Sequence, residues 1–438
     1  NPWGFRSFTL ESGTISMHGR KPEPAFTRLV ATSAAGSNTL VLEEAVNWEL
    51  GDVVAIAGTN RETMYVSGRK RNEKRKNEHS EHRTITAIST DKKTITLNSV
   101  LTYPHLGQAK TILNNNTYSI GAEVALISRY IEVSGGHEGE AKPEFFAGWR
   151  LNIGCTSNNF EGCGLGEQDG DIGWPMGAGK PGFLKLDSVM FRDIGQAGVL
   201  HGAIQLDGLT DGVNDAQNSY IRNIAMWRVY NTGISIRDSS KQMTIENNVL
   251  FDVMGDGIRV ASADNIVKNN LIMAVGVPEP NCDDVPFLDE DCRTSAFRLH
   301  AGTYATGNIA ASGVGAGFST TGINCDMPLR WANNVAHSQR DGLLTYTRNY
   351  EMSWRFDEEH PTAPKESGCR KIGGVMSYYT ADHGLVVWYA NGNLEVENYI
   401  SVDNAIGSFA MTLHPTRFQT YTPTAKYTNV VYAGYFDG

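Results

Sequence analysis

The chain has 438 residues, two to three times an ordinary single domain, so it holds either several domains or one elongated repeat that gains core as it lengthens. Hydrophobic residues make up 40% and charged ones 20%, with 46 glycines against 15 prolines, a turn-rich globular composition that excludes intrinsic disorder and a collagen-like chain. A formal charge of -10 is the wrong sign for a phosphate-binding surface and sets nucleic acid aside as a partner.

From the N-terminus, alternating apolar segments predict strands over Gly13 to His18, Thr39 to Leu42, Asp52 to Ala57, Arg83 to Ile88, Thr94 to Leu97 and Glu123 to Ser128. Residues 1–145 therefore read as a β-rich segment leading into the remainder. Between two of these strands lies a dense basic run, Gly68 to Arg83, diluted by Glu73, Glu78 and Glu81. It reads as a solvated loop, with an anionic polysaccharide or an acidic neighbour as its functional alternative. Asn115-Asn116-Thr117 is a glycosylation sequon on Asn115. No run approaches the roughly 18 apolar residues of a membrane-spanning helix, so no span is expected in this piece. A start on Asn1 rather than Met suggests a fragment of something longer.

Three loops follow: Asn152 to Gly182 with Cys155 and Cys163, Gly276 to Ser295 with Cys282 and Cys292, and Thr347 to Gly373 with Cys369. With Cys325 the cysteines number six, an even count in loop sequence, which predicts disulfides and an extracellular compartment. Cys155 with Cys163, Cys282 with Cys292, and Cys325 with Cys369 make two local staples and one longer tie, although spacing alone does not choose among the possible pairings. The absence of a CxxC pair argues against a zinc finger. Asp207, Asp211 and Asp215, and separately Asp169 and Asp171, are oxygen-rich loop positions where Ca2+ is a candidate cofactor, solvated turns being the simpler reading.

The second half repeats. Gly233 to Gly257 is 24 residues, Gly317 to Gly342 is 25 and Gly384 to Gly407 is 23, with short alternating apolar runs between them and no amphipathic helical stretch. An asparagine precedes each turn glycine at a similar offset: Asn223, Asn248, Asn308, Asn334 and Asn398, with Asn270 in equivalent sequence. Several short strands per period predict an all-β fold, a right-handed parallel β-helix over residues 146–438, with those six asparagines stacked as a structural ladder. Aligned on the turn glycine, Thr232, Asp256, Ala316, Asp341, His383 and Ile406 share one column. Asp341 and His383 on neighbouring coils lie close enough for a carboxylate to orient an imidazole, while favoured Asp-Gly turn chemistry is the bland alternative. Trp174, Trp227, Trp331, Trp354, Trp388, Tyr378 and Tyr379 are candidates either for a sugar-stacking groove or for core.

The strings GTISMHGRKPEPAFTRLVATSAAGSNTLVLEEAVNWELGDVVAIAGTN, EHRTITAIS, TITL, YPHLG and GAEVALISRYIEVSGG resemble the segment that follows the eight-glycine domain in the family of fibrocystin-L and the related cell-surface hyaluronidases. GISIRDSSKQMTIENNVLFDVMGDGIRVASADNIVKNNLIMAV resembles that family's β-helix repeats. The resemblance implies an extracellular, right-handed β-helix ectodomain. In the family the turn equivalent to Met254-Gly255-Asp256-Gly257 usually reads Gly-His-Gly and is followed by an acidic pair, whereas here Asp256 takes the histidine position and Val260-Ala261-Ser262 follows. The expectation is a noncatalytic structural or adhesive rod presenting loops to glycan or protein partners, or packing into a filament. The alternative is a hyaluronidase-like, polysaccharide-degrading glycosidase using Asp341, His383 and Asp256.

Overall fold

The computed structural model describes residues 7–10, 13–60, 79–112, 116–135, 150–154, 182–195, 202–207, 219–237, 240, 242–276, 294–346, 369–390, 393–412 and 424–434. Its strands form three parallel sheets, a six-stranded antiparallel sheet and a two-stranded hairpin, with no helix among the described residues. Each coil up to Trp331–Ala332 gives one strand to each parallel sheet, as Ile234–Ile236, Thr244–Glu246 and Val249–Met254 do, and pairs in register with the next coil. Beyond it two of the sheets continue. The fold is a parallel β-helix.

A strand period of two sends alternate residues inward, and coil-to-coil pairing stacks like positions on like. Ile234, Ile258, Phe297, Phe318, Leu343 and Leu385 form one such inward column on the first sheet, all buried. Phe297 and Phe318 stack with ring centres 4.8 Å apart. The same core runs from Leu184 to Tyr399. Each fully buried aliphatic or aromatic side chain contributes about 2 kcal/mol.

The turn glycines are explained by close approach. A Cβ on Gly257 would lie 2.6 Å from the Ala296 carbonyl oxygen, and one on Gly342 would lie 2.4 Å from that of Gly384. Corners are made differently. Ser188, Asn223, Asn247, Asn269, Gly307, Asn333, Gly374, Asn398 and Asn429 occupy one column with φ between 52° and 68°, a left-handed bend that asparagine and glycine tolerate. A second column of such bends, Asp193, Arg228, Asp252, Ala274, Ser312, Ser338, Tyr379 and Asp403, has φ of 50° to 59°.

The amide ladder sits one residue after the first bend column. Asn248, Asn270, Asn308 and Asn334 are fully buried, and each of the first three donates from its backbone N and its Nδ2 to the Oδ1 of the next at 2.9 to 3.1 Å. Asn223 and Asn398, expected in this ladder, stand instead in the bend column. Asn223 donates its Nδ2 to Asp187 at 2.8 Å, and Asn398 accepts from Asn429 at 3.1 Å in an exposed pair. Bending and bonding are divided between adjacent positions.

The first coil lies within the segment 1–145: Ser7–Leu10, Gly13–His18 and Ile131–Ser134 pair with Arg150–Gly154, Gly182–Asp187 and Val189–Ile194. Between Gly13–His18 and Ile131–Ser134 an antiparallel unit is inserted, with strands Phe26–Arg28, Thr39–Val41, Val53–Ile56, Glu81–Ile88, Thr94–Leu97 and Glu123–Leu126. One face closes on its own core of Leu40, Ile56, Ile85, Ile95 and Val124. The other, lined by Ala25, Ala55, Ala57 and Ala125, lies against Val249, Phe251, Leu271 and Met273 of the third parallel sheet. Small side chains let the two backbones approach. Arg129 pins the junction by donating to the carbonyls of Leu126, Ser128 and Asn223.

Candidate functional site

The expected column is present with one addition. Ser295, Ala316, Asp341, His383 and Ile406 pair rung to rung along the first sheet, and the Ser295 backbone N donates to Asp256 Oδ1 at 2.8 Å. Ser295 escaped the glycine alignment because Ala296, not glycine, follows it. Asp256 is therefore three coil steps, roughly 14 Å, from Asp341. Its other oxygen faces Arg298 Nε at 2.9 Å. Asp256 is a buried turn cap with its own counter-ion, and the structure does not bring it to the pair.

Asp341 and His383 do meet. His383 Nδ1 lies 3.1 Å from Asp341 Oδ1, and Arg340 Nε donates to Asp341 Oδ2 at 2.9 Å. Burial opposes ionisation of Asp341, which is 3% exposed, but the bonds from His383 and Arg340 outweigh it and hold the carboxyl below the usual range. Asp382, beside His383, is pushed the other way, by burial and by the negative charge of Asp341. One ligand atom from each of Asp341, Asp382 and His383 can be chosen so that all lie within 4.8 Å of one another. A neutral His383 donating from Nδ1 keeps a lone pair on Nε2, the arrangement a general base requires. Arg340 and Asp382 belong to this cluster, and their place just before column residues was the signal that would have found them.

The aromatic candidates are mostly core. Trp331 is 4% exposed and packs beside Phe318, Tyr378 and Tyr379 are buried, and Trp227 lies half-buried against His82 and Arg228. They do not line a groove together. Trp174, Trp354 and the side chain of Trp388 lie outside the described residues, as do Asn115, Cys155, Cys163, Cys282, Cys292, Asp169, Asp171, Asp211, Asp215 and the side chain of Asp207. Cys325 and Cys369 are joined in a disulfide with Cα atoms 5.4 Å apart. No helix among the described residues is long and apolar enough to cross a membrane.

No family model matches the chain. Mouse fibrocystin-L is 25% identical over 450 residues, covering 92% of this chain and 10% of that protein, and dog fibrocystin is 23% identical over 402 residues, covering 91% and 8%. The chain is homologous to fibrocystin and fibrocystin-L. A G8 domain-containing protein of Dictyostelium discoideum is 26% identical over 437 residues, covering 95% of this chain and 25% of that one. The fibrocystin-L-like chain thus spans a tenth or less of those fibrocystin relatives' length. Among solved structures, the Gp54 tailspike of Acinetobacter baumannii bacteriophage AP22, in complex with a capsular saccharide, is 10% identical, covering 98% of this chain and 67% of that one with a TM-score of 0.22. The gp49 tailspike from Pseudomonas phage LKA1 is 10% identical, covering 96% and 65% with a TM-score of 0.19.

Proposed function

We propose that this fibrocystin-L-like chain is an extracellular structural module, a rigid rod that presents its loops and faces to glycan or protein partners at a cell surface. One observation carries the reading: an unbroken stack of paired coils with a buried amide ladder, to which the antiparallel unit is fastened through packed side chains. Inward positions go to packing, and stiffness follows because each coil is held by its neighbours. The Cys325–Cys369 disulfide and the fibrocystin relatives support an extracellular setting.

The Asp341–His383 contact favours a second reading, a polysaccharide-cleaving enzyme in which His383 moves a proton and Asp341 orients it. One experiment separates the two. The purified chain is incubated with anionic glycans, and chain length is followed by size-exclusion chromatography, with Asp341→Asn and His383→Ala as companions. The structural reading expects unchanged glycan length in all three samples. Depolymerisation by the parent chain that both substitutions abolish overturns it.

A further inference from the structure

We propose that Asp341, Asp382 and His383 form a binding site for one divalent transition-metal cation of zinc-like preference. The inference goes beyond the structural reading and does not depend on it. The three residues come from two neighbouring coils, Asp341 on one, Asp382 and His383 on the next, so the β-helix pairing sets their separation. The 3.1 Å between His383 Nδ1 and Asp341 Oδ1 suits a hydrogen bond, and it also suits one edge of a tetrahedral centre, where bonds near 2.0 Å place ligand atoms about 3.3 Å apart. Asp382 offers a third ligand atom within 4.8 Å of both.

Four other aspartates are each held directly by an arginine. Asp187 has Arg222 at 2.7 Å, Asp193 has Arg228 at 2.6 Å, Asp256 has Arg298 at 2.9 Å and Asp264 has Arg330 at 2.6 Å. The Asp382 carboxylate stands beside that of Asp341, with the Arg340 charge also acting on it. Arg340 donates to Oδ2 of Asp341, and by holding Oδ2 it fixes the direction of Oδ1, the task of an outer-shell partner. Phe409, with its ring centre 5.6 Å from that of His383, adds an apolar wall.

The ligand set chooses the class of metal. One imidazole nitrogen and two carboxylates match zinc and its neighbours, with a fourth position left for water, whereas calcium takes six to eight oxygens. The grouping of Cys325, Cys369 and Glu395 is no rival, because both sulfurs are used in the disulfide. Metal on Nδ1 and the His383–Asp341 hydrogen bond are mutually exclusive, so a loaded site no longer has the dyad of the enzymatic reading.

The test uses the full 438-residue chain with zinc ion alone as probe. Bound zinc is measured by metal analysis after dialysis and by competition with a chromophoric chelator, for the parent chain, Asp382→Asn, His383→Ala and a control, Glu395→Gln. Asp382 and His383 are partly exposed, so these substitutions leave the buried core intact, and near-parent melting temperatures without metal check that. The expected result is one equivalent of zinc on the parent and the control, with affinity about tenfold or more weaker in the two ligand variants. A zinc-dependent rise in melting temperature is expected for the parent and not for those variants. No retention at micromolar zinc, or equal retention by all four chains, overturns the site. Displacement of zinc by equimolar calcium overturns the assignment of metal class.

Discussion

His337, on the third parallel sheet, and Glu123, in the antiparallel unit, meet at 2.7 Å with both side chains fully buried, 214 residues apart in sequence. Arg28 Nε reaches the other oxygen of Glu123 at 3.1 Å, and the Tyr378 ring stacks on the imidazole at 4.7 Å. Burial opposes ionisation of Glu123, yet His337 and Arg28 together hold its carboxyl below the usual range. Removing one member of a buried, hydrogen-bonded pair leaves the other uncompensated. Glu123→Ala is expected to destabilise the chain by about 3–5 kcal/mol, read as a lower urea midpoint, with early proteolytic release of the antiparallel unit.

Acid should act through a second carboxylate. Burial opposes ionisation of Glu81, but bonds from His105 and from the backbone N–H groups of Thr102 and Tyr103 bring its pKa down to about 2. A folded value below the unfolded one contributes stability that is complete above about pH 4.5 and is lost as pH falls toward 2. The contribution is on the order of 3 kcal/mol. Glu81→Gln should lower stability at neutral pH and flatten the acid limb, measured as unfolding midpoints from pH 6 to about 2.

The amide ladder and the bend column should respond differently to substitution. Asn270→Ala strands the Asn248 backbone N, leaves Asn248 Nδ2 with the Ile221 carbonyl as its remaining acceptor and removes a donor from the Ile245 carbonyl, all in the buried interior, at an expected cost of about 3 kcal/mol. Asn269→Gly, one residue earlier at φ 52°, keeps an allowed bend and should cost less than about 1 kcal/mol, whereas Asn269→Val should cost about 2 kcal/mol. Paired denaturation curves decide the matter, and equal losses for Asn270→Ala and Asn269→Gly would contradict the division of labour.

Gly342→Val tests coil spacing. Its Cβ would meet the Gly384 carbonyl oxygen and the Ser377 Cβ, at 2.4 and 2.5 Å, so the coils must separate. Loss of more than about 3 kcal/mol, or failure to fold, is expected, with a smaller loss for Gly36→Ala, where nothing lies within 4 Å and only a φ of +84° resists.

Opening the Cys325–Cys369 bond releases a loop of 44 residues' separation. The chain-entropy relation gives about 4 kcal/mol, to be checked by melting the Cys325→Ser, Cys369→Ser double variant against the parent.

The glycine spacing disclosed the coil period because close approach of successive backbones leaves a mark in the letters: Gly233, Gly257, Gly317, Gly342, Gly384 and Gly407 do share a column. The coil that carries Ser295 hides its place, since Ala296 fills the glycine position. Asn223 and Asn398 look like ladder residues because asparagine serves both the bend and the ladder, and only pairing register separates adjacent positions. Asp341 and His383 are legible as neighbours because both stand just before a turn glycine, whereas Arg340 and Asp382 lie one position earlier, where no spacing rule marks them. The contact of Glu123 with His337 has no local signature, since a docking between remote segments depends on how completed sheets meet.

Both exits of the antiparallel unit open into a single coil, between Gly13–His18 and Ile131–Ser134. Tension along the rod's axis passes from coil to coil through the sheets and is shared by the inserted strands where they dock across several coils. The insert rides as a splint along the shaft, one face touching successive coils at Val249, Leu271 and Ile309 and its buried Glu123 gripping His337 on the coil beyond.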